Sequence, residues 1–195
     1  MTSAASPTLL ESLPFGSSAT RNVVFAIAGS LALWASAKFS IPFYPVPFTM
    51  QTFVVLALGM VAGWRLATAT FALYLLEGLA GLPVFAGTPE RGIGLTYMMG
   101  PTGGYLIGML AATSVVGCLA ERGWGRSPLP TGVAMLIGNL VLYVPGVLWL
   151  GTSIGWDKPV LSIGFTSFVA SDIVKVALAM AVMPALWKLA KKAGA

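Results

Sequence analysis

Six apolar runs, separated by short polar or Gly/Pro-rich stretches, set the pattern of this chain. They cover residues 22–39, 48–63, 66–82, 103–120, 131–150 and 159–187. A hydrocarbon core roughly 30 Å thick is crossed by about 20 helical residues, so each run reads as a full or slightly short transmembrane helix. Small residues recur inside the runs: Ala28 and Ala32 in the first, Gly59 and Gly63 in the second, Gly104 and Gly108 in the fourth. Such spacing lets another helix approach closely. Between the first two runs, Pro42, Pro45 and Pro47 forbid a regular helix and predict an extended, rigid segment. Gly63, Trp64 and Arg65 predict a turn. Residues 81–104, dense in Gly and Pro, predict a structured loop over the end of the bundle rather than a helix. Residues 1–20 carry one charge, Glu11, and no basic start of the signal-peptide kind. They are expected to form a flexible or surface-lying cytoplasmic tail, with residues 21–195 as a single six-helix domain.

Composition turns this pattern into a fold class. The chain of 195 residues is 57% hydrophobic and 9% charged, with a mean hydropathy of +0.87. Soluble domains carry about 25% charged residues. The expected fold is therefore an all-α integral membrane protein, a bundle of six transmembrane helices. The net charge of +5 comes without a basic run or an aromatic–basic alternation, so it does not point to nucleic acid. The positive-inside rule accounts for it. With both termini cytoplasmic, seven basic residues fall inside (Arg21, Arg65, Arg122, Arg126, Lys188, Lys191, Lys192) and three outside (Lys38, Arg91, Lys158). The Gly/Pro-rich loops 40–48, 81–104 and 151–159 then all face outward.

Missing residue types confine the chemistry. The chain has no histidine, which removes Ser-His-Asp and Cys-His catalysis and histidine metal sites. Cys118 is alone, cannot form an intrachain disulfide and reads as packing. No Walker A pattern is present, so any ATP drive by that route must come from a partner. Against this background Asp172 and Lys175 stand out. Each charge costs roughly 2.5–3.5 kcal/mol at the centre of a membrane helix. Their i, i+3 spacing puts them on one face. The alternatives are a ligand site and a pair that neutralises itself against a neighbouring helix. If the last helix starts near Thr166 or Ser167, Asp172 lies about two turns below the outer surface. Gln51, near the top of the second run, is a candidate to join it. Glu77 in the third run either lines the same space or sits near the outer interface.

Four blocks then carry a resemblance: PVPFTMQ (45–51), LYLLEGLAGLPVFAG (73–87), GPTGGYLIG (100–108) and SDIVK (171–175). In order and spacing they resemble the signature blocks of the BioY family. Its members are substrate-binding (S) subunits of energy-coupling-factor (ECF) biotin transporters. The resemblance implies a six-helix fold in a prokaryotic cytoplasmic membrane and a biotin site near the outer face. It also implies a transmembrane T subunit and two ATPase subunits as partners. Asp172 and Lys175 match the family's last-helix acid and base and are implied ligand contacts. An aspartate can accept both ureido N–H groups, and a lysine can donate to the ureido oxygen or balance the acid. Gln51 lies in a matching block. Arg91, near the outer loops, is the candidate for the valerate carboxylate. Phe48, Phe85 and Tyr105 are candidates for the pocket lining, with core packing as the alternative. Ala28 and Ala32 match the Ala-rich face that docks on the T subunit. The family pattern offers no fixed acid at Glu77. No cofactor is implied beyond biotin as the transported ligand.

Three other readings compete. An intramembrane enzyme would need Asp172, Lys175 and Glu77 for acid–base work, without histidine or a serine elbow. A self-sufficient, oligomeric biotin permease would use small-residue faces such as Ala177, Ala181 and Ala185 for self-association. An S subunit for another vitamin would keep the fold and change the ligand.

Overall fold

Ser17 starts the first long helix. Its hydroxyl accepts the Thr20 N–H at 3.3 Å and caps α1, Ser18–Lys38. The computed structural model describes residues 6–12, 17–41 and 43–193. Gly29, Ser30, Leu33, Ser36 and Ala37 of α1 face the bundle, whereas Val23, Val24, Ile27, Leu31 and Trp34 are exposed. Bulky apolar residues on the outward face of α1 fit lipid contact.

The proline-rich segment is extended, as its residues predict. It forms a short antiparallel hairpin of β1, Ser40–Ile41, and β2, Phe48–Thr49, with Ser40 opposite Thr49. Pro42 lies outside the described residues. α2 follows over Gln51–Leu79, but it is not a single rod. At Gly63 the backbone takes φ +75° and ψ 175°, and the chain doubles back. Gln51 Nε2 donates to the Tyr74 hydroxyl at 3.1 Å, a contact between residues 23 apart in sequence. A straight helix would hold them roughly 35 Å apart. The limbs 51–62 and 64–79 thus lie side by side, with the reversal where Gly63, Trp64 and Arg65 predict a turn. Gly63 therefore serves the reversal. It also leaves room for Glu121, whose Oε1 would lie 2.5 Å from a Cβ added there.

The long loop after α2 contains one short helix, α3, Gly94–Met98. The sequence expects no helix there; five residues with Gly92 and Gly94 at positive φ fit within a loop of that composition. α4 (Gly103–Ala120), α5 (Pro128–Ile154) and α6 (Ser167–Ala193) complete the chain, with a π turn at Ser162–Thr166 leading into α6. Among the described residues, four helical segments are long and apolar enough to cross a membrane: Gln51–Leu79, Gly103–Ala120, Pro128–Ile154 and Ser162–Lys192.

α4 is the central helix, packed closely between α2 and α5 by its glycines. A Cβ on Gly104 would meet Pro145 O at 2.4 Å, one on Gly108 would meet Leu142 O at 2.3 Å, and one on Gly117 would meet the Trp64 backbone at 2.4 Å. Residues 1–20, expected as a flexible or surface-lying tail, are in part folded inward. Thr8, Leu9 and Leu10 are buried, the Leu10 N–H reaches Val61 O at 3.0 Å, and Leu9 packs on Trp187 and Ala190. Two leucines in a polar stretch gain more by filling that seam than by facing water. Residues 1–5, 13–16 and 194–195 of these calls lie outside the described residues.

Candidate functional site

The start of α2, the upper halves of α4 and α5 and the first turns of α6 converge beneath the two Gly/Pro-rich loops. They enclose a cavity with Asp172 and Lys175 on one wall. Both residues are buried, 6% and 7% exposed. One helical turn apart on α6, they form an ion pair with Nζ 3.1 Å from Asp172 Oδ1. Lys175 also donates to Thr52 Oγ1 at 2.8 Å, tying α6 to the head of α2. The Tyr143 hydroxyl on α5 donates to the other carboxylate oxygen, Oδ2. Each Asp172 oxygen thus has one donor and keeps acceptor capacity, and Lys175 has used two of its three N–H groups. The pair is satisfied enough to be stable in a dry interior and still able to bond a polar ligand.

The remaining walls are mixed. Gln51 is 4% exposed, lines the cavity and, through Tyr74, connects to Val84 O of the second loop at 3.0 Å. Tyr105 lines it from α4 and anchors the π turn through Gly164 O at 2.7 Å. Leu106, Met109, Leu142 and Phe168 supply apolar surface. The roof comes from the loops, with Val46 and Pro47 from the first and Ala86 and Tyr97 from the second. Burial pushes the Tyr97 phenol above its ordinary range, opposed by the nearby Thr102 side chain and by Arg91, so it stands neutral in the roof.

The structure brings Asp172, Lys175, Gln51 and Tyr105 together. It places two other candidates elsewhere. Glu77 is outside the cavity lining; its carboxylate accepts from Ser30 in the seam between α1 and α2. Arg91 lies in the roof, outside the lining, where it ties the two loops together. It donates to Pro45 O at 2.8 Å and to Phe43 O at 3.0 Å. Lys38 makes a second tie, donating to Phe85 O, Thr88 O and Thr88 Oγ1 at 2.9–3.2 Å. Phe48 and Phe85 are not among the lining residues; Phe48 packs against Phe43 and Phe168, and Phe85 stacks on Tyr97. Ala28 and Ala32 are exposed on the outer side of α1.

Sequence reasoning passes over two members of the cluster, Tyr143 and Thr52. Tyr143 carries a signal in hindsight, since a hydroxyl within an apolar span needs a partner. Thr52, beside Gln51, has no pattern that distinguishes it from any helix-start threonine.

Known proteins resemble this chain in sequence and in fold. The chain is 39% identical to a biotin transporter of Thermotoga maritima over 77% of its own length and 86% of that protein. It is 36% identical to a biotin transporter of Lactococcus lactis subsp. cremoris, over 77% and 81% of the two chains. The fold is similar to a crystal structure of the S-component for biotin from an ECF-type ABC transporter, with a TM-score of 0.73 and 22% identity over 87% of this chain and 92% of that one. Residues 5–192 match the sequence model of the BioY family, and the chain belongs to that family.

Proposed function

We propose that this chain captures biotin in the cavity beneath its outer loops and serves as the substrate-binding component of an ECF-type transporter. In this reading it has six spans, with both limbs of α2 crossing, and both termini lie on the cytoplasmic side of a prokaryotic inner membrane. The observation that carries it is the buried Asp172–Lys175 pair, which faces a cavity with polar and apolar walls. A ureido ring offers two N–H donors and one carbonyl oxygen. These complement the spare acceptor capacity of Asp172 and the third N–H of Lys175. Leu106, Met109, Leu142 and Phe168 would cover the sulfur ring and the chain. Ala28 and Ala32, exposed on α1, leave a flat face for a T subunit, which with two ATPase subunits would supply the energy. Ala177, Ala181 and Ala185, exposed on α6, favour self-association as a second reading.

Equilibrium binding of labelled biotin to the detergent-purified chain tests the substrate. A folded chain that ignores biotin and takes another vitamin would overturn that assignment. Uptake in cells without any T subunit or ATPase separates the two transport readings: dependence on those partners supports an S component, and independence supports a self-sufficient permease.

The cavity is narrow as it stands, about 50 Å³, against the ~300–1,000 Å³ of drug-sized ligand sites. Entry of a bicyclic ligand therefore requires the roof to part and the walls to adjust, and Arg91 and Lys38 hold the roof down. Arg91→Ala removes both ties to the first loop and is expected to speed loss of pre-bound biotin about tenfold, from about 1.4 kcal/mol of lost charge-assisted hydrogen bonding. Dissociation of biotinamide, which lacks the carboxylate, decides how Arg91 acts. An equal acceleration marks a loop tie; an effect confined to biotin marks the carboxylate contact.

A further inference from the structure

A second, larger cavity of about 520 Å³ lies at the opposite end of the bundle, between residues 6–11, the first turn of α1 and the reversal of α2. We propose that it binds a phosphoethanolamine group, presented by a membrane lipid. Its charged lining comprises two guanidiniums, Arg21 and Arg65, and two carboxylates, Glu11 and Glu121. These opposite charges do not pair with each other, because Lys175–Asp172 is the sole ion pair among the described residues. No acidic side chain lies in residues 1–5 or 13–16, which border the cavity in sequence. Arg21 Nε is shielded from solvent and has no hydrogen-bond partner among the described residues. A donor hidden in this way costs free energy until an acceptor reaches it.

The carboxylates are half committed. Glu11 Oε2 accepts the Thr8 N–H at 2.8 Å and Glu121 Oε1 accepts the Trp64 N–H at 3.1 Å, leaving one oxygen on each. A lining with both signs in equal number, each with spare capacity, complements a zwitterion. The phosphodiester would take the arginines, which suit its geometry. The primary ammonium would take Glu11 and Glu121. A choline headgroup has no N–H to donate, and a purely anionic headgroup would leave the carboxylates facing like charge. The location argues for a lipid source. Trp64 is 39% exposed with the Arg65 guanidinium 5.3 Å from its ring centre. Tryptophan with arginine is the pairing found at headgroup depth. The assignment of this end to the cytoplasmic leaflet rests on the orientation proposed above; the site itself does not.

Thermal unfolding of the full chain in detergent, followed by tryptophan fluorescence, tests the site. Phosphatidylethanolamine, phosphatidylcholine and phosphatidylglycerol are added separately, and soluble glycerophosphoethanolamine, which keeps the phosphodiester, in a fourth arm. Phosphatidylethanolamine is expected to raise the midpoint by about 5 °C when present at about a hundred times its Kd. The other two lipids should raise it by less than half as much. Arg21→Gln and Glu121→Gln should each remove the difference; the glutamine at 121 can still accept the Trp64 N–H, so the reversal stays closed. Each variant must retain wild-type biotin binding, as a check that it is folded. A full shift from the soluble compound supports the group recognised and reassigns its source. Equal shifts from all three lipids, a larger one from phosphatidylglycerol, or variants that respond like wild type would each overturn the proposal. None of these outcomes bears on biotin binding at the other end.

Discussion

Replacing Asp172 by asparagine is expected to weaken biotin binding by about two to three orders of magnitude. A hydrogen bond to a charged group contributes about 1.5–3 kcal/mol, and this carboxylate is proposed to accept two from the ligand. The substitution leaves one oxygen in place of two, already sought by Lys175 and Tyr143. It also strands the ammonium of Lys175, which is 7% exposed. Breaking a buried pair from one side costs about 3–5 kcal/mol of stability, so the single variant alone confuses binding with folding. The double change Asp172→Asn with Lys175→Met separates them. With both charges gone the bundle should unfold at or above the wild-type temperature, because a buried pair rarely outweighs its desolvation. Biotin binding should remain weakened by at least as much as in the single variant. Thermal unfolding and equilibrium binding on the same preparations check this. A double variant that binds as well as wild type would make the pair structural and remove it from the site.

The same two residues show what the sequence makes legible. Charge in an apolar run is costly wherever it falls, and i, i+3 spacing fixes a shared face whatever the neighbours, so Asp172 and Lys175 were readable locally. The reversal at Gly63 was readable for a similar reason: a glycine followed by Trp-Arg between two apolar runs offers the positive φ that the turn uses. Arg91 and Glu77 were readable only as charges. Which side of a loop or helix they face depends on chain segments 46 to 48 residues away, the carbonyls of Phe43 and Pro45 in one case and Ser30 in the other. Local spacing carries no information about such partners. Tyr143 belongs to the same class, since its role comes from facing α6 across the bundle. Leu9 and Leu10 were hidden by their polar surroundings, although two adjacent leucines have apolar surface to bury.

Tyr143 also shows how helix packing sets the geometry of the site. It follows Leu142, the residue whose backbone crosses closest to Gly108 of α4. Gly108→Ala is therefore expected to damage stability and binding together. The added Cβ would lie 2.3 Å from Leu142 O and 3.0 Å from its C and Cα. All three are backbone atoms, so no side chain can swing aside. Relief requires α5 to move by about an ångström, because ordinary contact begins near 3.4 Å. Overpacking of this kind costs about 1–3 kcal/mol and should lower the unfolding midpoint by roughly 3–10 °C in a chain of this size. The same displacement carries the Tyr143 hydroxyl away from Asp172, and a hydrogen bond stretched by an ångström is lost. Biotin affinity should fall about tenfold even where the protein is still folded, as expected for the loss of about one hydrogen bond in positioning. Gly125→Ala supplies the contrast: its Cβ would meet the Met60 sulfur and the Trp187 ring nitrogen at 3.4 Å and the Met60 O at 4.0 Å, all ordinary contacts. That variant should unfold and bind as wild type does. Equal behaviour of the two alanine variants would mean that the α4–α5 crossing tolerates displacement, and that Tyr143 does not depend on it for its hold on Asp172.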